Sequence, residues 1–90
     1  MTVPEFVDAV IRYCSMTRAS VTSWGRTEGH NRAVGGVPYS AHRFWLGLDV
    51  VYDEPPGPRD VPTEIAARLG LRLIDEGDHD HLQPLTWTKG

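Results

Sequence analysis

Residues 48–58 read Leu48-Asp49-Val50-Val51-Tyr52-Asp53-Glu54-Pro55-Pro56-Gly57-Pro58, a β-prone run closed by a proline-rich loop. Branched and aromatic side chains at Val50, Val51 and Tyr52 favour extended backbone, so Leu48–Tyr52 is predicted as a strand. No regular element continues through Pro55-Pro56-Gly57-Pro58, which lacks three backbone donors and forms a rigid loop. Downstream, Pro62 to Leu69 is predicted as a helix, with Asp60 as N-cap and Gly70 at its C-terminal end. Leu71-Arg72-Leu73-Ile74 follows as a strand and His81-Leu82-Gln83 as another.

Upstream, Thr2-Val3-Pro4-Glu5 has the form of a capping box, with proline where no donor is lost. Phe6, Val7, Val10, Ile11 and Cys14 then recur at helical spacing and predict one apolar face. Val21-Thr22-Ser23-Trp24 is a short strand candidate, and residues 27–36 make a helical turn at best, stopped by Gly35-Gly36. The order helix, strand, strand, helix, strands predicts an α+β domain. Its expected form is a small antiparallel sheet with an N-terminal helix and a second helix packed on it.

Ninety residues, 1–90, are read as a single domain. A chain of this size buries roughly 60–65% of its unfolded surface, so a bound metal ion would be a useful addition to a modest core. Twelve acidic residues against nine basic ones give a net charge of −3, which argues against a nucleic-acid partner. No apolar run is long enough to span a membrane. The N-terminus has no basic segment followed by an apolar one, so no signal peptide is read, and synthesis in the cytoplasm without Sec export is expected. The single cysteine, Cys14, excludes an internal disulfide and is expected as a small buried thiol.

Chemistry-bearing residues concentrate in two places. Ser40-Ala41-His42-Arg43-Phe44-Trp45-Leu46-Gly47-Leu48-Asp49 holds an imidazole and a carboxylate seven positions apart. A turn followed by a strand could bring both to one ion. The second cluster is Asp78-His79-Asp80-His81, from which His81 could supply a third ligand and leave the fourth position to water. The residues alone also permit an ordinary structural arrangement, in which His42 caps a turn, Asp49 pairs with an arginine, and His79 and His81 lie on the surface. In an extended strand His79 and His81 share one face and Asp78 and Asp80 the other. Asp78 can join His81 only if the chain turns at Gly77. His79 stands as an alternative ligand, Asp80 as an acceptor behind the ligands or a solvated group, and His30 as a surface residue. Trp24 and Trp87 are candidates for a peptide groove or, more simply, for the core.

The run Val21 to Asp49, VTSWGRTEGHNRAVGGVPYSAHRFWLGLD, resembles the M15 family of zinc D,D- and L,D-peptidases. The matching positions, in order, are Thr22-Ser23, Arg26, Asn31, Gly35-Gly36, Ser40, His42, Asp49, Asp78 and His81, over about residues 20–85. Two positions depart from the family pattern: Trp45 stands where it has glycine, and Gly47 where it has alanine. The resemblance implies the D-Ala-D-Ala peptidase (hedgehog-like) fold and a Zn2+ ion held by His42, Asp49 and His81. It implies Asp78 as the general base that takes a proton from the attacking water. Arg26 is implied as the residue that binds substrate or steadies the oxyanion. Ser40 would orient the His42 loop beside the substrate, and Trp45 would narrow or roof the cleft.

The expected function is therefore that of a zinc metallopeptidase of carboxypeptidase or endopeptidase type. It would hydrolyse peptidoglycan stem-peptide amide bonds next to a D-amino acid, as a monomer acting on bacterial cell-wall peptides. Without a signal peptide, a phage-type lytic enzyme that reaches the wall by another route, or acts in a phage particle, fits the same chemistry. The alternative from another class is a catalytically inactive, zinc-stabilised structural or binding module of a phage virion or larger assembly.

Overall fold

The computed structural model describes residues 1–36 and 40–87. Helix α1 (Val3–Thr17) begins at the expected capping box: the Thr2 hydroxyl accepts from Glu5 N at 3.3 Å, and Thr2 N donates to the Glu5 carboxylate at 2.9 Å. Its buried stripe is Phe6, Ala9, Val10, Tyr13 and Thr17. That face is rotated from the expected one, and Ile11 is 63% exposed. Ala9 lets the helix approach the sheet closely, and the rotation brings the Tyr13 hydroxyl within 2.6 Å of the Tyr52 hydroxyl, a polar partner for an otherwise buried ring. Cys14 is only partly buried, and burial pushes its thiol above the ordinary value.

Strand β1 (Ala19–Ser23) leads to a six-residue helix, α2 (Glu28–Ala33), capped by Thr27. A 3-10 turn, Ala41–Phe44, then precedes β2 (Leu48–Tyr52). Helix α3 runs Asp60–Arg68, two residues earlier than expected, and Asp60 is its first residue rather than a capping side chain. Strands β3 (Leu71–Asp75) and β4 (Asp80–Pro84) complete a four-stranded sheet in the order β1-β2-β4-β3, antiparallel throughout. The α+β class expected from the sequence is the observed one. No described helix is long and apolar enough to cross a membrane.

Alternation along the strands sorts the side chains onto two faces. Leu48 and Val50 of β2, Leu71 of β3 and Leu82 of β4 meet Phe6, Val10 and Tyr13 of α1 and Ala66 of α3 in one hydrophobic core. The residues between them, Asp49 and His81, occupy the opposite face, and the register pairs these two directly across the central strands. A bulge at Thr22 shifts the β1–β2 register and turns the chain beyond it toward that second face.

Asp80 follows the same alternation onto the core side, where it is buried. It is neither solvated nor beside the ligands, because period-two geometry sends it away from His81. Its carboxylate takes two hydrogen bonds from the Arg59 guanidinium, at 3.0 and 2.9 Å, and one from the Tyr52 hydroxyl at 2.6 Å. Burial and the neighbouring carboxylate together hold the Tyr52 hydroxyl well above its ordinary pKa.

Asp80→Ala should therefore lower the unfolding free energy by about 3 kcal/mol. That is the lower end for removing one partner of a buried pair, because the abandoned guanidinium can rehydrate. The Arg59 side chain is 48% exposed. By contrast Arg68→Ala removes a pair with Glu64 in which both side chains are exposed. It should cost less than about 0.5 kcal/mol. Urea unfolding of both variants checks the ranking, and equal losses would contradict it.

Candidate metal centre

Three elements deliver one ligand atom each. The 3-10 turn carries His42, β2 carries Asp49 and β4 carries His81, all buried, and their ligand atoms lie within 4.8 Å of one another. His42 Nε2 is 3.3 Å and His81 Nδ1 3.2 Å from Asp49 Oδ1. The other nitrogen of His42, Nδ1, is 2.6 Å from the Trp24 carbonyl oxygen. A carbonyl can only accept, so Nδ1 bears the hydrogen and a neutral ring turns the Nε2 lone pair toward the carboxylate. On His81 the Gln83 side-chain oxygen lies 2.8 Å from Nε2, a placement that puts the hydrogen on Nε2 and the lone pair on Nδ1. Lone pairs facing a carboxylate oxygen at these distances repel unless a proton or a cation lies between them. The buried cluster is thus compatible with a bound metal ion, in a donor set of two imidazoles and one carboxylate.

The loop that carries His42 is held from several sides. Arg26 N donates to the His42 carbonyl at 2.9 Å, and the Ser40 hydroxyl accepts from His42 N at 3.3 Å, so Ser40 orients the turn. Gly47 packs so tightly against this turn that a Cβ there would come within 2.8 Å of the Ala41 Cβ. The Arg26 guanidinium reaches Asn31 Oδ1 at 3.3 Å and Asp49 Oδ2 at 3.9 Å. Any side chain at Gly36 would collide with the Asn31 carboxamide, which gives the second glycine of the motif a steric reason.

These residues wall a cavity of about 330 Å³, lined by His42, Asp49 and His81 together with Arg26, Ser40, Gly35, Gly36, Ile74, Glu76 and His79. Asp78 is not among them. The expected turn is present, with Gly77 at φ 93°, but it brings His79 rather than Asp78 to the rim. The Asp78 side chain is 92% exposed at the hairpin tip, and its Oδ1 lies 2.6 Å from His79 Nδ1. Alternation explains this, since His79 stands two residues from His81 and shares its face. His79 Nε2 in turn lies 3.8 Å from Asp49 Oδ2, beside the Arg26 contact.

Trp45 does not line the cavity either. It stacks edge-on against Trp24 with ring centroids 5.4 Å apart, and its carbonyl accepts from Trp24 Nε1 at 3.1 Å. Trp24 packs against the hydrophobic core, and Trp87 lies against Phe44. His30 is exposed, as expected.

Electrostatics follow from these contacts. Burial works to raise the Asp49 carboxyl, but when the His42 and His81 rings carry a proton on the nitrogen facing it, their hydrogen bonds outweigh burial and hold the group well below the ordinary carboxylate range. The hydrogen bond from His79 holds Asp78 down, and the same bond pushes His79 up.

Glu76 and Gln83 were not reached by reasoning on the sequence. Gln83 had a usable signal, since it stands two residues beyond His81 in the same strand and so shares its face. Glu76 sits in the hairpin outside any periodic element and had none. Comparison with known protein families, curated proteins and solved structures finds no match to this chain.

Because the folded state lowers the Asp49 pKa, the unfolded chain takes up that proton more readily. The associated stability is present above the ordinary carboxylate pKa of about 4 and is lost as pH falls below it. In metal-free protein, Asp49→Asn should flatten the acid side of the stability curve between about pH 4 and 2. Urea midpoints measured across that range test this, and an unchanged acid slope would contradict it.

Proposed function

We propose that this chain is a zinc-dependent peptidase that hydrolyses amide bonds next to a D-amino acid in bacterial cell-wall peptides. The observation that carries this is the buried His42–Asp49–His81 cluster opening on a cavity that also contains an arginine and a histidine outside the donor set. Further support comes from the ordered motif Thr22-Ser23, Arg26, Asn31, Gly35-Gly36, Ser40, His42, Asp49, Asp78 and His81, in its resemblance to M15 peptidases. Two imidazoles and a carboxylate are a donor set suited to zinc, with one position left for substrate or water.

His42, Asp49 and His81 would hold the ion, which when bound would supply a Lewis acid able to polarise a carbonyl and to lower the pKa of water toward about 7. Arg26, anchored by Asn31, offers a fixed positive charge to the carbonyl oxygen as negative charge develops there. His79 faces the cavity and accepts the proton of the attacking water. It returns that proton to the leaving amine nitrogen as the C–N bond breaks, giving a carboxylate and an amine. Asp78 acts through His79 as a positioning residue, holding Nδ1 so that Nε2 points inward. This moves the base expected at Asp78 one residue along the chain.

The exposure of Asp78 also favours a second reading, a zinc-stabilised structural or binding module of a phage particle or larger assembly with no turnover. In either case purified protein should carry about one zinc per chain, and chelation should lower its melting temperature. Full occupancy in the double variant His42→Ala, His81→Ala would refute the ligand assignment. Incubation with muropeptides followed by mass spectrometry separates the two readings, because only the enzyme releases new amino and carboxyl termini.

If hydrolysis is found, His79→Ala should keep its zinc and lose activity by about 10²–10⁴-fold, as for removal of a general base. Asp78→Asn should lose less and also keep its zinc. Arg26→Lys, which keeps the charge without the planar fork, should lose about 10–1000-fold in kcat/KM. A normal rate in His79→Ala with a dead Asp78→Asn would return the base to Asp78.

A further inference from the structure

The two histidines of the cluster present different ring nitrogens. His42 turns Nε2 inward because the Trp24 carbonyl occupies Nδ1, and a backbone carbonyl leaves no choice of tautomer. His81 turns Nδ1 inward, 3.2 Å from Asp49, while its Nε2 meets the Gln83 carboxamide. A carboxamide does leave a choice, since its oxygen accepts and its nitrogen donates. With the oxygen against the ring, Nε2 carries the hydrogen and Nδ1 offers a lone pair to a cation. With the nitrogen against the ring, the hydrogen moves to Nδ1, where it bonds to the Asp49 carboxylate and closes the site.

The structure assigns Gln83 the role of a positioning residue, whose buried side-chain oxygen, 2.8 Å from His81 Nε2, turns the Nδ1 lone pair toward the ion. Gln83 is 2% exposed, so water does not compete for this bond. It stands two residues from His81 on β4 and is held in register opposite Arg72 of β3. The sheet therefore fixes the separation of carboxamide and ring, and the contact does not depend on a mobile loop. This role rests on the metal-centre reading above. Gln83 touches neither the ion nor a substrate; it acts by setting which form of His81 is ready to bind.

The test uses the full chain and zinc alone. In metal-free protein at alkaline pH, 15N chemical shifts of His81 should report the Nε2–H tautomer. In Gln83→Leu the ring should populate both tautomers, and zinc affinity measured against a competing chelator should fall about 10–100-fold. Gln83→Glu keeps an acceptor oxygen in place and should restore both the tautomer and the affinity. The wild-type tautomer needs no variant, so it decides the matter even if Gln83→Leu folds poorly. An Nδ1–H tautomer in the wild type would overturn the role of Gln83, as would unchanged affinity in Gln83→Leu. Wild-type protein that holds the Nε2–H tautomer yet binds no zinc would overturn the metal reading, and this inference with it.

Discussion

The cross-strand pairing of Asp49 with His81 is the constraint from which the rest of the site follows. Both belong to the two central strands of the sheet, where the backbone is held on both sides, and both point away from α1 and α3. A one-residue slip between β2 and β4 would send one of them into the core. The register is therefore fixed from the opposite face. Leu48, Val50 and Leu82 must meet α1 and α3, and satisfying them leaves the two polar side chains side by side. Hydrophobic burial on one face thus sets the ligand geometry on the other.

The four residues Asp78-His79-Asp80-His81 show how finely this sorting works. Asp80 and His81 are adjacent in the chain and both buried, yet they belong to separate polar networks on opposite faces of the sheet. Asp80 is closed off by Arg59 and Tyr52, a fully paired carboxylate with a structural task. His81 faces Asp49 and Gln83 in a cluster that pairs completely only with a proton or a cation. His79, still on the His81 face but at the end of the strand, reaches the rim of the cavity. Asp78, beyond the strand, is left in solvent with the His79 ring as its partner.

On the second face, the segment from Trp24 to Asp49 acts as a collar. Its backbone supplies the Trp24 carbonyl to His42, and Arg26 N grips the His42 turn. Its side chains place Arg26 between Asn31 and the outer oxygen of Asp49. The glycines of the motif are explained by contact, Gly36 against Asn31 and Gly47 against Ala41, so alanine at position 47 would require the turn to move. Trp45 uses its ring on Trp24 and is not among the described residues that line the cavity. The cavity is thus bordered by the buried His42–Asp49–His81 cluster, Arg26 and His79, the arrangement on which the proposed peptidase reading rests.

Much of this was determined locally and could be read from the chain. The capping box at Thr2–Glu5, the β-prone run ended by Pro55-Pro56-Gly57-Pro58, and the α+β order all depend on near neighbours, whose preferences act without a tertiary context. The meeting of His42, Asp49 and His81 was also legible, as one of the arrangements that the spacing permits and the one that the family resemblance implies. What the sequence alone left open was orientation. The rotation of α1 toward Ala9 and Tyr13, the burial of Asp80 under Arg59, the outward turn of Asp78 and the carboxamide behind His81 all depend on partners distant in the chain. Only the tertiary structure decided them, because a side chain's face in a strand is set by period two, but which face is core is set by what packs against it.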